Sequence, residues 1–166
     1  NINLIKTLDQ EVYNKLIYRF HWQMGYNEKD IINNIFPDLD ISTREEESHF
    51  NNKLFNCSLI ISTTNFTTML QTLILNIPTM LLWNPEDFQI RKMNKKYYDA
   101  LYDAGILYYI PELCAEKINL IYKNPMEWWE SNDIQAARNY FCNNMCRTTD
   151  NISSKLAQEI NDMRKN

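Results

Sequence analysis

Glycine is nearly missing from this chain: Gly25 and Gly105 are the only two among 166 residues. That scarcity removes the loops in which glycine lets the backbone close around a phosphate. Neither GxGxxG nor GxxxxGKS/T occurs, and a GxSxG nucleophile elbow is absent too. Basic charge is also short. With 17 Lys and Arg against 21 Asp and Glu, the net charge is −4, the wrong sign for releasing counterions from DNA or RNA. Nucleic-acid partners are therefore not expected. No apolar run approaches the length of a membrane-spanning helix. The four cysteines (Cys57, Cys114, Cys142, Cys146) and two histidines (His21, His49) are scattered without CxxC or HxxxH spacing. Cys142 and Cys146 share a helix face, but no further ligands lie nearby. We expect neither a metal nor a structural disulfide, which suits a reducing compartment.

What is present suits one domain with a substantial core. The composition is 45% hydrophobic and 13% aromatic, and the length prior favours a single domain over 1–166. The chain opens with Asn1, with neither an initiator Met nor a signal-like segment, so we expect it to begin inside a longer polypeptide. Asn56-Cys-Ser, Asn65-Phe-Thr and Asn151-Ile-Ser match the glycosylation sequon. Two of them flank or enter an expected core unit and read as chance.

That core unit runs from Leu59 to Trp83. It reads as a short buried strand, a hydroxyl-rich turn (Ser62-Thr63-Thr64-Asn65), an amphipathic helix and a second buried strand. The turn lies where the first helical amides lack partners and the helix dipole is positive, a seat suited to phosphate.

Before it, Asn3–Gln10 has helical spacing, Lys15–Trp22 reads as a strand ending in Arg19 and His21, and Glu28–Asn34 has room for one or two helical turns. Leu39–Thr43 suggests an edge strand. Ser42 or Thr43 followed by Glu45, Glu46 and Glu47 predicts a capped helix to about Asn56. After it, the pattern predicts a long helix from Asp87 to Ala104 on the stripe Ile90, Met93, Tyr97 and Leu101. Gly105 closes that helix in a left-handed cap. A strand over Ile106–Tyr109, a helix over 111–122 and a helical tail over 126–166 complete the chain. The tail holds a break near Thr148–Asn151 and a last helix over Ile152–Met163.

Short apolar strands alternating with helices predict a three-layer α/β fold with a mostly parallel, Rossmann-like sheet. Ligands in such folds bind at the carboxyl ends of the strands, where Arg19, His21, the Ser62–Thr68 segment and Trp83–Glu86 all fall. Hydroxyls and amides around Thr63, Thr64, Asn65, Thr67 and Thr68 can hold a diphosphate without a metal. Gln71, one turn inside the helix, can bond a ribose hydroxyl, and Arg19 can neutralise a leaving diphosphate. The alternatives stay open: Thr67 and Thr68 as plain helix caps, Gln71 as a solvated side chain, Arg19 paired with a local acid.

Three segments carry a resemblance. They are Ser62–Glu86, Tyr97–Ile106 (YYDALYDAGI) and Trp128–Phe141 (WWESNDIQAARNYF). In that order they resemble the carboxy-terminal part of a family of bacterial transferases associated with surface carbohydrate biosynthesis. That family is similar to GT-B glycosyltransferases. The resemblance implies a donor domain for a nucleotide-activated sugar, the second of two Rossmann-like halves, with Arg19, His21, Thr63, Thr64, Asn65, Thr67, Thr68 and Gln71 facing the donor. It also implies a separate amino-terminal acceptor domain that often carries the catalytic base, so this half alone is expected to be inactive. The implied location is cytoplasmic, with the full-length enzyme peripheral to the inner face of the membrane. The family pattern has Glu where this chain has Gln71, so the charge that would accept from the ribose is missing. A nucleotide-sugar epimerase or a polyol-phosphate transferase on the same fold, or a non-catalytic interaction module, are the competing readings. His21 beside the phosphate seat keeps the phosphotransferase version open.

Overall fold

Four consecutive residues, Thr79–Leu82, form a strand in which every side chain is buried. Only a strand covered on both faces reads this way. In the computed structural model, which describes residues 2–20, 28–42, 56–146 and the isolated positions 151, 154, 157, 158, 161 and 162, this strand is the middle of a three-stranded parallel sheet. We label it β4. Its neighbours are β3 (Ile60–Ser62) and β5 (Leu107–Tyr108), in register Ile60↔Thr79 and Leu81↔Leu107. A second, two-stranded parallel sheet pairs β1 (Ile17–Arg19) with β2 (Asp40–Ser42). The strands are parallel as expected, but among the described residues they divide between two small sheets.

The period-two alternation of a strand splits the core. Leu81, Trp83 and Leu107 face one side, packed with Met69 and Leu73 of α4 (Thr67–Ile74), Tyr98 and Leu101 of α5 (Lys95–Asp103), and Ile134 and Phe141 of α8 (Asn132–Met145). Met80 and Leu82 face the other side, against Leu4 of α1 (Ile2–Thr7) and Cys114, Ala115 and Ile118 of α6 (Pro111–Ile121). Helices therefore cover both faces of the three-stranded sheet, and the chain is a mixed α/β fold of Rossmann-like character. A third cluster (Ile5, Ile32, Phe36, Leu39) packs α3 (Glu28–Ile35) and the start of β2 onto α1. α1 thus serves two cores, with Leu4 and Leu8 in one and Ile5 in the other. Two short helices, α2 (Gln10–Tyr13) and α7 (Pro125–Trp129), complete the set used below.

The helices that follow β3 and β4 end alike. In α4, the Asn76 amide donates to the Leu73 carbonyl and Ile77 to Thr72. In α5, Gly105 donates to Tyr102 and Ile106 to Leu101. Both are Schellman motifs, each with one residue in the left-handed region: Gly105 at φ 76° and Asn76 at φ 56°. Gly105 caps its helix as the sequence predicts. At Asn76, asparagine does the work for which glycine is scarce.

Three expectations shift. The long helix does not begin at Asp87. Asn84 Oδ1 accepts from the Glu86 amide and the Asn84 carbonyl from that of Asp87, making a tight turn. Helix proper starts only at Lys95, after a 3-10 turn over Lys92–Asn94. The buried stripe accordingly falls on Tyr98 and Leu101, while Met93 is exposed. On α6, the apolar residues Leu113, Ile118 and Ile121 are the expected buried side. Ile118 is buried as expected, while Leu113 points outward at 49% exposure and Cys114 and Ala115 are buried beside Ile118. β1 spans Ile17–Arg19 rather than Lys15–Trp22. The Gly25 loop, the Glu45–Glu47 helix start and seven of the twelve residues of the expected last helix lie outside the described residues.

Of the tandem tryptophans, Trp129 is fully buried, and Trp128 packs part-buried between the two cores on either face of the sheet. The four cysteines are free thiols. Burial pushes the Cys114 thiol up to about 12. Because its folded pKa lies above the unfolded one, the stability it contributes is complete below about pH 9 and is lost as pH rises toward 12.

Two outcomes follow for the fold. A Cβ at position 105 meets Tyr108 Oη at 3.3 Å and forces an L side chain into positive φ, so Gly105→Ala should destabilise by about 1–2 kcal/mol in urea unfolding. The urea midpoint of the wild-type chain should fall between pH 8 and pH 10.5, and Cys114→Ala should flatten that fall while lowering stability at neutral pH.

Candidate functional site

β3 delivers the chain to its carboxyl end at Ser62, which is buried. The Ser62 hydroxyl donates to the Thr64 carbonyl at 3.1 Å, folding the turn back on itself. Thr63, Thr64 and Asn65 are half-buried in this turn, Phe66 and Thr67 are exposed, and α4 begins at Thr67. Phe66 occupies the N-cap position in extended conformation (φ −122°, ψ −168°), and no side chain caps the helix there. Its first amides thus lack both intrahelical partners and a capping oxygen from residue 66. Such an end offers N–H donors and a positive dipole to an anion.

The turn is pinned from the next unit. Tyr98 of α5 donates its hydroxyl to Asn65 Oδ1 at 3.1 Å. Burial raises the Tyr98 pKa, so the phenol stays protonated as a donor across the neutral range. With Oδ1 committed, Asn65 keeps its Nδ2 as the group able to meet an anion.

Aromatic rings close the floor. Phe66 meets Phe88 edge-on at 5.6 Å, Phe88 meets Trp83 at 6.2 Å, and Trp83 meets Tyr98 at 6.3 Å. Phe66 is 48% exposed, whereas Trp83 is buried with its indole Nε1 unpaired. Orphaned buried donors are uncommon and cost on the order of 1–3 kcal/mol. This one lies at the carboxyl end of β4, beside the turn carrying the candidate residues.

The predicted residues divide into groups. Thr63, Thr64, Asn65, Thr67 and Thr68 lie together along the turn and the first helical turn. Gln71 follows one turn later and is exposed, on the side of α4 away from Met69, Thr72 and Leu73. Arg19 is exposed at the carboxyl end of β1, in the other sheet. Leu16, just before β1, packs in the cluster that contains Ile61 of β3. His21 lies outside the described residues. Among the described residues no group of three or more His, Cys, Asp or Glu could hold a metal ion, and no helix is long and apolar enough to cross a membrane.

Two contributors escape sequence reasoning. Tyr98 lies off the predicted stripe, which runs through its neighbour Tyr97, and its hydroxyl role shows only once α5 is packed beside the β3–α4 turn. Phe88 reads as helical, and the Asn84 turn is what redirects it toward Trp83.

The family model for the LIC12162 family transferase matches residues 1–160. The chain belongs to that family. No curated protein and no solved structure matches it. Membership of the LIC12162 family makes the chain a transferase by kind. The three segments singled out above map onto β3 through β4 with the turn that follows, onto α5 with its cap, and onto the α7–α8 tail. In this chain these are the parts that build and brace the Ser62–Gln71 turn and helix.

Replacing Tyr98 with Phe removes a side-chain bond that ties the turn to α5. The variant should lose about 1 kcal/mol in urea unfolding and should speed amide exchange at residues 63–67 relative to the core strands.

Proposed function

We propose that this LIC12162-family chain is the donor-binding domain of a glycosyltransferase-like enzyme of bacterial cell-surface polysaccharide synthesis. In this reading it holds a nucleotide-activated sugar by its diphosphate. The observation that carries the reading is the β3–α4 junction. A turn closed by Ser62 and pinned by Tyr98 leads into a helix whose N-terminus no side chain caps, at the carboxyl edge of a parallel sheet. A diphosphate seated there accepts from the first amides of α4 and from the Thr67 and Thr68 hydroxyls. Gln71, one helical turn inward, lies about 5 Å further along the axis, a distance suited to a ribose. Arg19 and His21 belong to the same reading as charge-bearing groups brought by β1 and its exit.

The acceptor site and catalytic base belong to a separate half in this proposal. The chain alone binds donor and turns nothing over. No resident metal is required, because amides and hydroxyls supply the diphosphate contacts. The full-length enzyme would act in the cytoplasm at the inner face of the membrane.

A calorimetric and thermal-shift screen of UDP-, GDP-, dTDP- and CMP-sugars tests this directly. At about 100 times its Kd the correct donor should stabilise the chain by about 2.7 kcal/mol, a rise of about 5–10 °C. Gln71→Glu should tighten nucleotide-sugar binding about fivefold by replacing a neutral acceptor with a charged one, while weakening inorganic pyrophosphate. Absence of binding by all four donor classes, in a polypeptide that also carries the upstream half, overturns the proposal.

A further inference from the structure

The end of α4 opposite the candidate seat is held by an unusual cation. Arg138 of α8 is buried, and among the described residues its side-chain partners are all uncharged. Nε donates to the Leu73 carbonyl at 2.6 Å and Nη2 to that of Ile74 at 3.2 Å. Nη1 reaches Asn139 Oδ1 at 2.9 Å and Gln135 Oε1 at 3.5 Å. Gln135 Nε2 in turn donates to Asn76 Oδ1 and to the Trp129 carbonyl, and the Trp129 indole donates to the Asn76 carbonyl and side chain. The loop of bonds is closed.

Every carbonyl of the last α4 turn is thereby accounted for. Gln71 takes the Leu75 amide, Thr72 takes Ile77, Leu73 takes Asn76 and Arg138, and Ile74 takes Arg138 alone. A buried charge without a counter-ion is expensive, so a residue that merely filled this space would be better apolar. A guanidinium suits a different task. Its rigid fork engages two successive carbonyls, which sit about 1.5 Å apart along the axis and about 100° apart around it. One such contact sets a helix's translation; two set its rotation as well. Positive charge at a helix C-terminus is also the favourable sign.

We infer that Arg138 is a positioning residue for the anion seat: by indexing the C-terminus of α4 it sets where the amides of Thr67, Thr68 and Met69 stand relative to the turn. The turn has its own anchor, Tyr98 on α5. The seat is thus assembled from two separately held parts, and α8 fixes one of them across the eight-residue helix, about 12 Å long. Misplacement of about 1 Å in such donors can weaken function a hundredfold. The inference rests on the donor reading for its ligand but not for its geometry.

The test compares Arg138→Gln, Arg138→Lys and a control, Ile118→Ala, which loosens the opposite face without touching α4. Tm is recorded, and two quantities are read well below it: affinity for inorganic pyrophosphate and for UDP by calorimetry, and the ligand-free amide chemical shifts of residues 67–69. Arg138→Gln should weaken both ligands about tenfold or more and move the amide shifts at 67–69. Ile118→Ala, at a similar loss of Tm, should do neither. Arg138→Lys, which can engage one carbonyl but not the pair, should recover Tm better than affinity. If Arg138→Gln and the control behave alike in affinity and amide shifts, Arg138 is structural only and the inference fails. If the wild type binds neither pyrophosphate nor UDP, the choice of ligand returns to the four-donor screen above, and the amide shifts at 67–69 alone decide whether Arg138 positions α4. Should Arg138→Gln not fold, Asn139→Ala, which removes the 2.9 Å bond orienting the guanidinium, carries the same comparison.

Discussion

Everything in this molecule depends on β4 being buried from both sides. Four residues, Thr79–Leu82, contribute side chains alternately to two cores, and their backbone is bonded on one edge to β3 and on the other to β5. A parallel strand cannot turn directly into its neighbour, so each crossover must be a helix. Those crossovers are α4 and α5, and both press on the same face of the sheet together with α8. α6 and α1 close the other face. Once β4 is central, the carboxyl end of β3 and the start of α4 are brought to one edge of the sheet.

The two ends of α4 show how a short helix can be braced and yet open. Its C-terminus is saturated by a Schellman motif, a buried arginine and a tryptophan–glutamine–asparagine network. Its N-terminus has no side-chain cap. Short helices owe most of their stability to packing rather than propensity, and Met69, Thr72 and Leu73 supply it here. The hydrogen-bonding capacity of the first turn is thus not needed to hold the helix in place. This division of labour, rather than any one threonine, is what the proposed donor site draws on.

How much of this was legible beforehand follows from which interactions are local. The Leu59–Trp83 unit could be read because each of its elements is short, apolar and bounded by turn residues. Gly105 could be read because a left-handed cap has a residue preference. The start of α5 could not, because the period of Ile90, Met93 and Tyr97 mimics a helix that the Asn84 turn interrupts. Asn76 carries no mark in the sequence that separates it from the chain's other asparagines, yet it closes α4 at positive φ. Arg138 is invisible for the same reason: its partners are carbonyls some 65 residues earlier, and a carbonyl has no letter in the sequence. The α/β class was legible from pattern, and so was the place of Ser62–Thr68 at the carboxyl end of a strand. The division into two sheets, which sets Arg19 apart from Thr67 and Thr68, was not.

The packing of α1 on α6 bears on how the molecule is made. Asn3 donates to Glu112, the Asp9 amide to Asn119, Asn119 to the Thr7 carbonyl, and Tyr122 to Glu11. Leu4 and Leu8 meet Cys114 and Ile118 in one core. All these partners lie about 110 residues downstream. At about 5–20 residues per second of synthesis, the first helix leaves the ribosome on the order of 5–20 s before the surface that buries it exists. Leu4 and Leu8 can meet Met80 and Leu82 of β4 before that, but the second face of the sheet is complete only once Cys114, Ala115 and Ile118 of α6 have been made.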